Sequence, residues 1–252
     1  MKSNYQEKFY SGTSGLVVPA PNKLAYPAEF RDKSRLTYYA SLFNTIEINS
    51  TFKKLPMART IDKWASSAPA GFQFTFKCWS AITHNKGLSF NPADVQKFLK
   101  LIESVGNKKG CLLVQFPGSL KADCFQQLKL LLQNIRENDP DREWKVAIEF
   151  RHTSWYQENI YELLDNHRMS LVLHDLPNSV PALTGITSSF IYIRFHGPEK
   201  GYRGSYSDDF LKTYANLIKS WMLAGKEVYV YFNNTLGGAV HNLQTLNSVI
   251  NS

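Results

Sequence analysis

The chain predicts an α/β fold, a single (β/α)8 barrel of the TIM type, on three observations. Eight short segments of β-type composition recur along it, nearly every one ending in a cluster of polar, reactive side chains. Segments with helical periodicity lie between them, and 252 residues is the size of one such domain. The active site of such a barrel lies at the C-terminal ends of its strands, so the polar clusters mark where chemistry belongs. Residues 1–252 are read as one domain, and 43% hydrophobic residues supply apolar surface for one large core.

The strands fall, in order, at FYSGTSG (9 to 15), TIEINSTF (45 to 52), FQFTFKC (72 to 78), CLLVQF (111 to 116), KVAIEFRH (145 to 152), SLVLHD (170 to 175), FIYIRFHG (190 to 197) and VYVYFNN (228 to 234). The helices are expected over 27 to 43, 57 to 67, 92 to 105, 124 to 137, 154 to 167, 207 to 225 and 237 to 250. Apolar residues spaced by three and four, such as Phe98, Leu99, Ile102 and Val105, give these segments a core-facing stripe. Pro27 and Pro92 sit where a first helical turn should begin, and Gly225 where one should end. The link from the sixth strand to the seventh (176 to 189) is the exception. Pro177, Pro181 and Gly185 argue against a long helix there, so the sixth crossover helix is expected to be short or absent.

Composition narrows the class of protein. The N-terminus lacks the apolar run of a secretion signal, and no stretch approaches the ~18 apolar residues of a membrane span, so a cytoplasmic protein without a membrane partner is expected. Cys78, Cys111 and Cys124 are scattered and form neither a disulfide framework nor a CxxC metal signature. A net charge of +8 favours anionic ligands, and because the cations are spread along the chain, a flexible nucleic-acid-binding arm is not expected.

Strand side chains alternate between faces, which sorts the residues of each strand. Ile46 and Ile48 oppose Thr45, Glu47 and Asn49; Phe72, Phe74 and Phe76 oppose Gln73, Thr75 and Lys77. Val146, Ile148 and Phe150 oppose Ala147, Glu149 and Arg151; Ile191, Ile193 and Phe195 oppose Tyr192, Arg194 and His196. A barrel strand turns its apolar side to the helices, so Glu47, Lys77, Glu149, Arg151, Arg194 and His196 should converge in the lumen. Burying charges there costs several kcal/mol per ion unless they are paired, hydrogen-bonded or wet. The group is therefore either a register-setting ion-pair network or a functional site.

Taken in order, TSG (13 to 15), FNTIEINSTF (43 to 52), FKCWSAITH (76 to 84), LLVQFP (112 to 117), AIEFRHTSW (147 to 155), IRFHG (193 to 197) and YFNN (231 to 234) strongly resemble the YecE-like family of TIM-barrel proteins, domain of unknown function 72. The resemblance spans almost the whole chain. It implies a (β/α)8 barrel and supplies no reaction. Lys53 and Lys54 replace the Tyr-Arg that usually follows STF, and Leu16 stands where an aromatic residue commonly follows TSG, which alters the pocket rim.

The leading expectation is acid/base chemistry on a small anionic substrate. Glu47, Glu149 and Lys77 are the catalytic candidates, with Asn49, His84, Gln115, Arg151, Arg194, His196 and Asn233 binding a carboxylate or phosphate. A metal-dependent hydrolase or phosphodiesterase using His84, Glu149, His152, His174, Asp175 and His196 is the alternative, although no HxH or HExxH spacing supports it and no metal ligand or cofactor is assigned. Lys77 as a Schiff-base lysine and Cys78 as a nucleophile are weaker readings. A non-enzymatic barrel binding an anion or nucleic acid would use Trp79, Trp155, Tyr202 and Tyr206 with Arg151, Arg194 and Arg203. The loops 196 to 209 and 232 to 240 are candidate lids, and Gly237 and Gly238 are candidate anion-binding amides. No oligomeric state follows from the sequence.

Overall fold

The computed structural model describes residues 8–183 and 187–252. All eight expected strands form: β1 (Phe9–Thr13), β2 (Thr45–Ile48), β3 (Gln73–Lys77), β4 (Lys109–Gln115), β5 (Lys145–Glu149), β6 (Ser170–His174), β7 (Phe190–Phe195) and β8 (Glu227–Phe232). They pair in parallel in the order β1-β8-β7-β6-β5-β4-β3-β2. The seam between β1 and β2 closes by a parallel bridge from Ser14 to Glu47, with the Gly15 amide donating to Glu47 O at 2.8 Å. Below it the Asn44 side chain acts as a surrogate strand: its Nδ2 donates to Phe9 O at 2.7 Å and its Oδ1 accepts from Ser11 N at 2.9 Å. Gly12 permits this approach, since a Cβ there would lie 2.1 Å from Thr45 O.

The helices are α1 (Arg35–Leu42), α2 (Ala58–Ser67), α3 (Ser80–Thr83), α4 (Pro92–Ile102), α5 (Phe125–Glu137), α6 (Glu158–Asn166), α7 (Asp208–Leu223) and α8 (Ala239–Asn251). Their caps are local chemistry. Asn91 Oδ1 accepts from Ala93 N ahead of Pro92, and Ser207 Oγ accepts from Phe210 N. Past α7, Gly225 takes φ +88°, the left-handed stop expected of it. The segment 27 to 43 is not one helix: Pro27 precedes a short 3₁₀ turn (Ala28–Phe30), and α1 starts only after Ser34, whose Oγ accepts from Thr37 N. The segment 154 to 167 likewise opens with a 3₁₀ turn (Thr153–Trp155) before α6. No helix lies between β6 and β7 among the described residues; Gly185 itself falls outside them.

The predicted phase holds. Ile46, Phe74, Phe76, Val146, Ile148, Ile191, Ile193 and Phe195 lie buried in the core shared with the helices. The lower lumen holds a separate apolar cluster that includes Cys111, Leu113, Ala147, Val172, Phe190, Tyr192, Tyr229 and Tyr231. Tyr231 exchanges hydrogen bonds with Thr45 Oγ1 (2.8 Å) and Thr75 Oγ1 (2.7 Å), so its phenol is satisfied without water. This packed floor leaves the charged layer at the top. Among the described residues, no helix is long and apolar enough to cross a membrane.

Candidate functional site

Strand register sets the charged layer. Arg194 stands on the lumen face of β7, opposite Glu47 on β2 and Glu149 on β5. Its Nε donates to Glu47 Oε2 at 3.0 Å, its Nη2 to Glu47 Oε1 at 2.8 Å and its Nη1 to Glu149 Oε2 at 2.6 Å. The Tyr192 hydroxyl donates a further bond to Glu47 Oε2 at 2.6 Å. Arg151, just past β5, donates Nε to Glu149 Oε1 at 2.7 Å. Glu47, Glu149 and Arg194 are all buried. Burial pushes both carboxyls up, but Arg194 beside Glu47, and Arg194 with Arg151 beside Glu149, more than offset it; both stay below the usual carboxylate range.

Burial shifts His196 and His174 toward the neutral form. His196 Nδ1 lies 3.3 Å from Asp175 Oδ1, and its Nε2 lies 3.3 Å from Arg194 Nη1, an arrangement that fits a proton on Nδ1. Asp175 also accepts from the His196 amide at 2.8 Å and from the Tyr206 hydroxyl. Burial lowers the pKa of His196, and Arg194 adds to that. His174 donates Nε2–H to Phe150 O at 2.9 Å and accepts at Nδ1 from Leu176 N at 3.3 Å, so both ring nitrogens are engaged. His152 accepts at Nδ1 from Ser154 N and caps the Thr153–Trp155 turn. No group of three or more His, Cys, Asp or Glu side chains suited to a metal ion occurs among the described residues.

Above the ion pairs opens a cavity of about 480 Å³, lined by Asn49, Ser50, Phe52, Lys53, Lys77, Arg151, Arg194, Tyr202 and Asn233. Two cations here have capacity left. The terminal nitrogens of Arg151 bond to no protein acceptor, and Lys77 Nζ has no carboxylate oxygen within 4.0 Å, among the described residues. The Lys77 ammonium lies over the Phe52 ring, 4.2 Å from its centroid. Burial and then Arg194 lower its pKa to about 8. His84 stands edge-on to Phe52 at 4.7 Å and is lowered to about 4 by burial and the nearby Lys77. Asn49 Oδ1 is buried without a hydrogen-bond partner among the described residues.

The structure therefore brings Glu47, Glu149, Arg151, Arg194, His196 and Lys77 together around the mouth, as the phase argument requires, and sets Asn49 and Asn233 beside them. Gln115 is buried and turned onto its own strand, donating Nε2 to Phe116 O at 2.6 Å. Strand phase did not supply Phe52, Ser50, Lys53 or Tyr202, which come from a 3₁₀ turn after β2 and the loop after β7. Some expectations fail. Trp155 is fully buried, stacked 4.7 Å from Phe150 with Nε1 donating to Leu120 O, and Tyr206 is buried against Asp175; neither offers a ring to a base. Gly237 and Gly238 do not present free amides, because they donate to Asn234 O and Gly204 O. They are glycines because the loop after β7 presses on them: a Cβ on Gly237 would lie 2.3 Å from Gly204 O. Asn234 ties the same loops together, donating Nδ2 to Gly204 O. Cys78 is buried, which pushes its thiol up to about 12 and away from nucleophilic use.

Fold and site define a (β/α)8 barrel whose lumen is closed by an ionic layer beneath a cation-rich mouth. Within that class the chain belongs to the family described as "Protein of unknown function DUF72", whose model matches residues 10–252; it is the family the ordered motifs resemble. It is 26% identical over 254 residues to the UPF0759 protein YunF of Bacillus subtilis, covering 89% of each. A crystal structure of a DUF72 family protein from Thermotoga maritima superposes with a TM-score of 0.80 at 29% identity, over 97% of this chain and 99% of that one. One from Enterococcus faecalis gives 0.79 at 22%, over 97% and 96%.

Proposed function

We propose that the barrel mouth binds a small anion, a carboxylate or phosphate, and moves a proton on it, with Arg151 holding the charge and Lys77 as the group that titrates. The observation that carries this reading is the unused capacity of the two cations. Arg151 spends Nε on Glu149 and keeps its terminal nitrogens, while Lys77 meets the Phe52 ring and no carboxylate among the described residues. Arg194, Arg151 and Lys77 face two carboxylates, Glu47 and Glu149, which leaves one positive charge in surplus, and Lys53 adds another at the rim. A planar guanidinium with both terminal nitrogens open suits the fork of a carboxylate or phosphate.

In this reading Glu47 and Glu149 do not carry the proton. Each is ionised and saturated with donors, so neither is poised near neutral pH; their role is to fix Arg194 and Arg151. Lys77, lowered to about 8, is close enough to neutrality to give and take a proton. Asn49 and Asn233 supply polar contacts for the rest of the ligand.

The test is the melting temperature of the full chain in increasing sulfate, phosphate and acetate, with sodium chloride holding ionic strength constant. A saturable rise for wild type that Arg151→Met removes is the expected result. No saturable rise, or an equal rise in the variant, overturns the reading.

A further inference from the structure

The environment of the Lys77 amine goes further than acid/base work requires. We propose that Lys77 is an imine-forming lysine, whose amine condenses with the carbonyl carbon of a small anionic aldehyde or ketone held at its carboxylate or phosphate by Arg151. This rests on the anion reading above and adds a substrate class, carbonyl-bearing anions, to the same mouth.

Lys77 ends β3 with its side chain on the lumen phase, and it lines the mouth cavity instead of a surface. A half-buried lysine in a lumen ordinarily finds a carboxylate. Two lie in this lumen, Glu47 on β2 and Glu149 on β5, yet both are committed to Arg194 on β7 and Arg151 after β5, and neither comes within 4.0 Å of Nζ. Lys53 shares the cavity, and His84 beyond Phe52 stays neutral, so no further anion faces the amine among the described residues. The remaining wall is the Phe52 ring, which keeps water from one side of Nζ. A cavity of about 480 Å³ admits a ligand of a few carbons.

The chemistry balances without a cofactor. The amine lone pair forms the C–N bond while the carbonyl π electrons move to oxygen, and one nitrogen proton passes to that oxygen to give a neutral carbinolamine. The hydroxyl then takes one proton from water at the open mouth and leaves as water while the nitrogen lone pair forms the C=N bond, giving the protonated imine, an electron sink for the adjacent carbon. The step needs the neutral amine. With a pKa near 8 about a quarter of Lys77 is neutral at pH 7.5, against roughly a thousandth for a lysine at 10.5.

Sodium borohydride converts an imine to a stable secondary amine, so the site can be read by peptide mass mapping after the full chain is incubated with glyoxylate, an anionic aldehyde. The expected result is reductive labelling of Lys77 at least about ten-fold above exposed Lys63 and Lys129, suppressed by sulfate. Arg151→Met should cut labelling of Lys77 by glyoxylate several-fold more than labelling by uncharged propanal, which falls only as far as losing the Arg151 charge favours the ammonium. Labelling of Lys77 no greater than that of the exposed lysines overturns the proposal, and this needs no variant. If that outcome comes with a saturable sulfate effect on melting, the imine chemistry falls and the anion site stands. Labelling that neither sulfate nor Arg151→Met alters removes the anion-holding part.

Discussion

Arg194 reaches across the lumen from β7 and takes both oxygens of Glu47 on β2, through Nε at 3.0 Å and Nη2 at 2.8 Å, with both side chains almost wholly out of water. The same guanidinium holds Glu149 at 2.6 Å, so one cation ties three strands of the barrel. Breaking such a buried set by removing one partner is costly, because the partners remain as unpaired charges. Arg194→Met should therefore lose about 3–5 kcal/mol of unfolding free energy in urea, whereas Arg151→Met, at a site partly open to water, should lose only about 1–2 kcal/mol. Equal losses would argue against Arg194 as the keystone.

Acid should undo the layer in a defined window. Glu47 and Glu149 have folded pKa values below their ordinary 4.5, so they contribute stability that is present above about pH 4.5 and lost as pH falls through the folded values. Urea midpoints should fall steeply below about pH 4.5, and Glu47→Gln, already weaker at neutral pH, should show a shallower acid limb. An unchanged limb in the variant would remove Glu47 from the account.

Tyr192 supplies a further donor to Glu47, at 2.6 Å and fully buried. Tyr192→Phe removes that hydroxyl with little change of shape and should cost about 1.5–3 kcal/mol, the worth of a hydrogen bond to a charged group. A variant as stable as wild type would show that Arg194 satisfies Glu47 alone.

How the site became legible follows from these residues. Glu47, Glu149, Tyr192 and Arg194 lie on strands, where a period of two assigns each side chain a face, and the apolar mates Ile46, Ile148 and Ile193 settle which face is inside. Phe52, Lys53 and Tyr202 sit on a 3₁₀ turn and a loop, which carry no such period. Sequence also lists charges without their pairing. That Arg194 takes both carboxylates and leaves Lys77 beside a ring is a matter of distance, and on the proposed reading it singles out Lys77 from the three catalytic candidates. The break in the helix expected over 27 to 43 was readable only locally, from Ser34 as a cap.

The mouth loops depend on glycine at one place above others. Gly197 has φ +105°, and a Cβ there would lie 2.2 Å from Arg203 O. Gly197→Ala should cost about 1–3 kcal/mol through strain and push the loop that carries Tyr202 away from the cavity. Its melting temperature and its sulfate response should both fall; a variant unchanged in both would mean that this loop does not shape the site.

The most direct measurement of the central claim is a pH titration of the Lys77 13Cε resonance in 13C-lysine-labelled protein, assigned by its loss in Lys77→Arg, with and without sulfate. The account predicts an inflection near 8, well below the ordinary 10.5, that moves upward when sulfate occupies the mouth and favours the ammonium. An inflection near 10.5 that sulfate leaves in place would contradict it.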